Sequence, residues 1–122
     1  MNLTKTTRDL KRILEELKAH YLENEKPEDK RDKAFFEFVK HKTTPVYERL
    51  KKWEDEALEF VKNREVHVHP QQIASTKENM ELLLLHSYYI DVKRKRYMEL
   101  NQSVHYVLDI LLNDLSNQTA DS

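Results

Sequence analysis

Glycine and cysteine do not occur among the 122 residues of this chain, and proline occurs three times. Each absence closes a class of function. Phosphate-cradling loops, dinucleotide fingerprints and primed hairpin turns use glycine where the backbone takes positive φ or must approach a ligand closely. Without a thiol there is no disulfide framework, cysteine nucleophile or thiolate metal site. An excess of one charge is missing too: 21 Lys and Arg stand against 22 Asp and Glu, and both halves of the chain are close to neutral. A balanced chain has no global field to draw in nucleic acid or an anionic membrane. The longest aliphatic run is the four leucines at 82–85, far short of a membrane span or a signal-peptide core, so a cytoplasmic protein with no membrane association is expected.

What the sequence does contain is helical spacing almost throughout. Leu10, Leu14, Leu17 and Tyr21 form the stripe of a first helix, which Asn24-Glu25-Lys26-Pro27 should end. A charged connection leads to Phe35, Phe36, Phe38 and Val39, where a second helix begins. Thr44-Pro45 has the form of an N-cap followed by the first helical residue, so this second helix is expected to be broken or kinked there. Beyond it, Val46, Leu50, Trp53, Ala57 and Phe60 step 4-3-4-3, the seam of a helix packed nearly parallel to its neighbours, with Trp53 filling the interior. Val66-His67-Val68-His69-Pro70 reads as an extended linker. A third stripe runs Ile73, Thr76, Met80, Leu83, Ser87, Ile90, and a fourth runs Leu100, Val104, Val107, Leu111, Leu115 before a polar, frayed tail at 117–122. The expectation is an all-α, single-domain up-down four-helix bundle spanning 1–122.

Phe35-Phe36-Glu37, Trp53 with Ala57-Leu58-Glu59, Val68-His69 leading into Gln72-Ile73, Ser87-Tyr88, Lys95-Arg96, Ser103-Val104 and Tyr106 follow one another in a characteristic order and spacing. In these residues the chain resembles the YppE-like family of small uncharacterised proteins from Gram-positive bacteria. The resemblance covers residues 35–115 and fades over the first helix. It implies a cytosolic helical bundle, and it implies no activity and no functional residues.

Candidate chemistry is sparse. Di-iron bundles need Glu-x-x-His on two helices, and no such spacing occurs; Glu16/His20 and Glu37/His41 are four apart and read as surface pairs facing water. His67 and His69 on the linker, with His86 and His105 on the third and fourth helices, are the remaining metal candidates, but two linker ligands without a converging third do not close a site. They read instead as partly exposed or hydrogen-bonded histidines, with His69 closing the start of the third helix. Arg64 and His69 have the spacing used by some helical-bundle ribonucleases, here interrupted by the linker. His86-Ser87-Tyr88 lacks the basic residue and glycine of a phosphotransfer histidine, and no glycine-framed serine nucleophile exists.

One concentration of charge stands out: Lys93, Arg94, Lys95 and Arg96, beside Tyr97 and after Tyr88-Tyr89. Basic residues among aromatics can bind phosphate and stack bases. The same run also suits the carbonyl end of the third helix, where cations complement the dipole. The sequence therefore reads as a non-enzymatic module without metal or cofactor, acting on a protein partner or on a second copy of itself. The possible interaction surface is the run from Lys93 to Arg96, and the alternative is a weak nucleic-acid or phosphate binder through the same four residues.

Overall fold

Asn2 starts the first helix: its side-chain Oδ1 accepts from the Lys5 amide at 3.0 Å, the N-cap contact that satisfies one of the orphan donors of a first turn. Four helices follow in order in the computed structural model, which describes residues 2–23, 33–62, 64–88 and 92–120. They are α1 (Leu3–Glu23), α2 (Lys33–Val61), α3 (Pro70–Tyr88) and α4 (Arg94–Ala120). The described residues contain no strand. The expected end of the first helix at 24–27, Ile90 of the third stripe and the last two residues of the tail lie outside the described residues, while helical backbone continues to Ala120.

Adjacent helices run antiparallel. Lys11 pairs with Asp109 and Glu15 with His105, so positions descend on α4 as they ascend on α1. Helix α1 packs on α2, α3 and α4, α3 packs on the other three in the same way, and among the described residues no Cα atoms of α2 and α4 come within 8 Å of each other. The cross-section is thus a flattened rhombus with α1 and α3 across its short diagonal. The core between them holds the predicted stripes: Leu10, Leu14 and Leu17; Leu50, Trp53, Ala57 and Phe60; Ile73, Met80 and Leu83; Leu100, Val104 and Leu111. Burying each large aliphatic side chain contributes about 1.5–3 kcal/mol, which is what holds four individually marginal helices together. Trp53 is wholly enclosed, and its indole N–H donates to Thr7 Oγ1 at 3.1 Å, so the one polar atom of the ring is satisfied inside the core.

The break expected at Thr44-Pro45 does not occur. Helix α2 is one element from Lys33 to Val61 with Pro45 inside it, which leaves only the kinked form of that expectation. Proline removes the amide that would bond the carbonyl four residues back. Both Thr44 and Pro45 are exposed, so water reaches that carbonyl, while Thr44 Oγ1 donates to the Lys40 carbonyl at 2.7 Å and stays within the helix instead of capping a new one. Val39, Thr43 and Leu50 are buried on either side of the proline and hold both halves against the bundle.

Candidate functional site

The basic run lies at the opposite helix end from the one the sequence suggests. Helix α3 stops at Tyr88, and Val92 and Lys93 are non-helical. The Lys93 carbonyl accepts the Tyr97 amide at 3.1 Å, and Arg94 opens α4. Arg94, Lys95 and Arg96 therefore occupy the first turn of α4, at the positive end of its dipole, and do not complement the carbonyl end of α3. This arrangement is locally unfavourable, because like charge meets the positive helix end. All four side chains are exposed, and none has an ion-pair partner among the described residues.

The corner beneath these cations is tightly built. Tyr21 of α1 stacks face to face on Tyr97 with ring centroids 3.9 Å apart, and its hydroxyl donates to the Val92 carbonyl at 2.5 Å. Tyr97 is wholly buried and shares a 2.9 Å hydrogen bond with Ser87 of α3. Burial pushes the Tyr97 hydroxyl up to about 12, helped by the neighbouring Tyr21, Tyr88 and Glu15 and opposed by Ser87, so it stays neutral. On the same side of the bundle His20 lies against Tyr88 at 4.4 Å, and burial raises the Tyr88 hydroxyl, with Glu16 adding to the shift. His20 is thus half-buried against an aromatic ring instead of facing water as the sequence suggests; Glu16, Glu37 and His41 are exposed. The tyrosines fix where α4 begins, and Tyr97, the aromatic beside the basic run, has no face left for a base to stack on.

At the other end of the molecule the structure builds a contact that the sequence reading missed. Asp114 of α4 is buried, with its carboxylate turned onto the α2–α3 linker. Its Oδ2 accepts the amides of His67 and Val68, both at 2.9 Å, and its Oδ1 lies 2.9 Å from His67 Nδ1. Burial alone would push this carboxyl up; the hydrogen bonds from the His67 ring, Val68 and the His67 amide, with the charge of His67, outweigh it and bring the net shift below the ordinary value. The available sequence signal was a carboxylate on the seam: Val107, Leu111 and Asp114 step 4-3, and a charge there must either be paired or break the helix packing.

The other histidines do not join it. His69 closes the start of α3 through its backbone, its amide donating to Gln72 Oε1 and its carbonyl accepting from Gln72, both at 2.9 Å. His105 meets Glu15 at 2.6 Å on the α1–α4 face, and His86 is partly buried on α3. Among the described residues no group of three or more His, Asp or Glu side chains is placed to hold a metal ion, and no helix is long and apolar enough to cross a membrane.

The model of a bacterial domain of unknown function, DUF1798, matches residues 7–115, which takes in the core apart from Leu3, the Tyr97 corner and the Asp114 contact. This chain belongs to the DUF1798 family. A relative, the uncharacterized protein YppE of Bacillus subtilis, is 32% identical over 85 residues, 69% of each chain. The crystal structure of that protein superposes with a TM-score of 0.84 at 26% identity, covering 98% of this chain and 96% of the other. Its solution structure, at a TM-score of 0.80 and 24% identity, shares the fold. The YppE-like resemblance read from Trp53, Gln72, Tyr106 and their neighbours thus holds over both sequence and structure, and the DUF1798 bundle is all-α.

Proposed function

We propose that this protein is a non-enzymatic cytoplasmic interaction module that binds an acidic segment of a partner protein at the basic corner of Lys93, Arg94, Lys95 and Arg96. The observation that carries this reading is the position of the run. Four exposed cations crowd the positive end of a helix dipole, and among the described residues none of them is ion-paired to a carboxylate, a local cost that an anionic partner relieves. The corner is pre-organised by the Tyr21–Tyr97 stack, so little ordering is needed on binding. Burial of Tyr97 favours a protein partner over single-stranded nucleic acid, whose affinity depends on aromatic faces open to the bases.

Fluorescence anisotropy with a labelled Glu-rich peptide and with short single- and double-stranded DNA and RNA, at about 50 and 200 mM salt, tests the reading. The expected result is saturable peptide binding that is lost when all four residues are replaced by Ala, with no nucleic acid bound at the higher salt. Micromolar nucleic-acid binding at the higher salt, abolished by the same replacement, would instead establish the phosphate-binding reading.

A further inference from the structure

Between α3 and α4 runs an open groove with a volume of about 630 Å³, within the range of small-ligand sites. In a chain that is 35% charged, Glu99 is the one charged residue among the ten that line it. The rest of the lining combines amide and hydroxyl groups with the carbon stems that carry them, the Tyr106 ring and Val107, so polar groups stand in a surface that is apolar over more than half its area. Amides come from both walls, Gln71 and Asn79 from α3 and Gln102 from α4, and so do hydroxyls, Ser75 and Ser103. Among the described residues the side chains of these five make no hydrogen bond to another protein group. Tyr106 stands at the groove 64% exposed, the most open of the large hydrophobic side chains among the described residues.

This chemistry narrows the ligand. An anion would find no cation here, and an apolar ligand would strip water from donors and acceptors without replacing its hydrogen bonds. A neutral ligand rich in hydroxyls satisfies both requirements, because each amide offers a donor and an acceptor, each hydroxyl serves either way, and the Glu99 carboxylate accepts from hydroxyl pairs. An exposed phenol ring adds a flat apolar face for the C–H side of a sugar ring. We propose that the α3–α4 groove binds a saccharide, with Tyr106 as the platform and Gln71, Asn79 and Gln102 reading the hydroxyls. The site is separate from the basic corner and does not depend on it.

Amide chemical-shift mapping of the full chain with maltotriose and with chitotriose as neutral probes tests this. The expected outcome is saturable shifts confined to the facing sides of α3 and α4, with a Kd of about 1 mM for at least one probe, typical of a shallow polar site. Changing salt should leave the affinity unaltered, since no charge is neutralised. Tyr106→Ala and Gln102→Ala should each weaken binding about tenfold while the thermal melt is unchanged, because both side chains are exposed. Replacement of Lys93, Arg94, Lys95 and Arg96 by Ala should leave it intact. The proposal is overturned if neither trisaccharide shifts the groove at about 10 mM, a tenfold excess over that Kd. It is equally overturned if Tyr106→Ala binds as the wild type does, or if an uncharged Gln/Ser peptide occupies the groove and the saccharides do not.

Discussion

Asp114 is the side chain on which the lower end of the bundle depends. It is a charged residue in the seam, made tolerable by three donors from one linker. Asp114→Asn preserves shape but turns one acceptor oxygen into a donor facing another donor, and should cost about 1–3 kcal/mol in chemical denaturation. The pH dependence follows from the direction of its shift. A carboxyl held below its ordinary value of 3.8 contributes stability that is fully present above that pH and is lost as pH falls through the lower folded value. Denaturation midpoints measured from pH 7 down to about 2.5 should therefore fall more steeply below pH 4 in the wild type than in Asp114→Asn. At the centre, Trp53→Ala should cost about 3–5 kcal/mol, because the indole is wholly enclosed and no neighbour can refill its volume. Thr7→Val leaves the indole N–H without its acceptor and should cost about 1–3 kcal/mol, a smaller loss that separates the hydrogen bond from the packing.

Helices α2 and α4 each carry an element that opposes them. Pro45 sits inside α2 on its exposed side, held by tertiary contacts that outweigh local propensity. Pro45→Ala should stabilise the protein by about 1–3 kcal/mol, read as a higher midpoint in urea, since it restores one helical bond and removes a clash. An unchanged or lower midpoint would mean that the proline sets a backbone shape the bundle requires. The first turn of α4 makes a similar case with the opposite chemistry. At low salt, replacing Lys93, Arg94, Lys95 and Arg96 by Ala should raise stability by about 1 kcal/mol, because the cations repel both one another and the helix N-terminus. A helix-terminating role at the C-end of α3 would give the reverse sign. The two outcomes separate a run retained for binding from one retained for folding.

For the molecule as a whole, folding without metal is the expectation to be tested. His67 is held by Asp114, His105 meets Glu15 and His69 acts through its backbone. Elemental analysis of untagged protein purified without chelator should find no stoichiometric zinc, iron or manganese; one equivalent would place ligands where the described residues show none converging. The two proposed surfaces lie apart, one at the end of the bundle where α4 begins and one along the α3–α4 face. Salt is expected to weaken binding at the first and leave it unaltered at the second, which makes ionic strength the simplest way to tell them apart.

Helical periodicity determined the number of helices, their order and nearly every core position, because an apolar side chain recurring every three or four residues has one face to bury whatever its partners are. The Trp53 seam was legible for that reason, whereas of the four leucines at 82–85 only Leu83 and Leu84 are buried, because the helix turns Leu82 outward. Three features were decided only by tertiary structure. Pro45 stays inside a helix because Val39, Thr43 and Leu50 on either side are buried, an energy that no local signal carries. The basic run opens α4 instead of ending α3 because Tyr21, from α1, stacks on Tyr97 and bonds the Val92 carbonyl 71 positions away, fixing the boundary. Asp114 meets His67 and Val68 across 47 and 46 positions of chain, and the hydroxyls and amides of α3 and α4 share a groove only once the two helices pack. Local sequence sets what a segment forms; which side chains then meet depends on distances closed by the core, and those appear in no window of the chain.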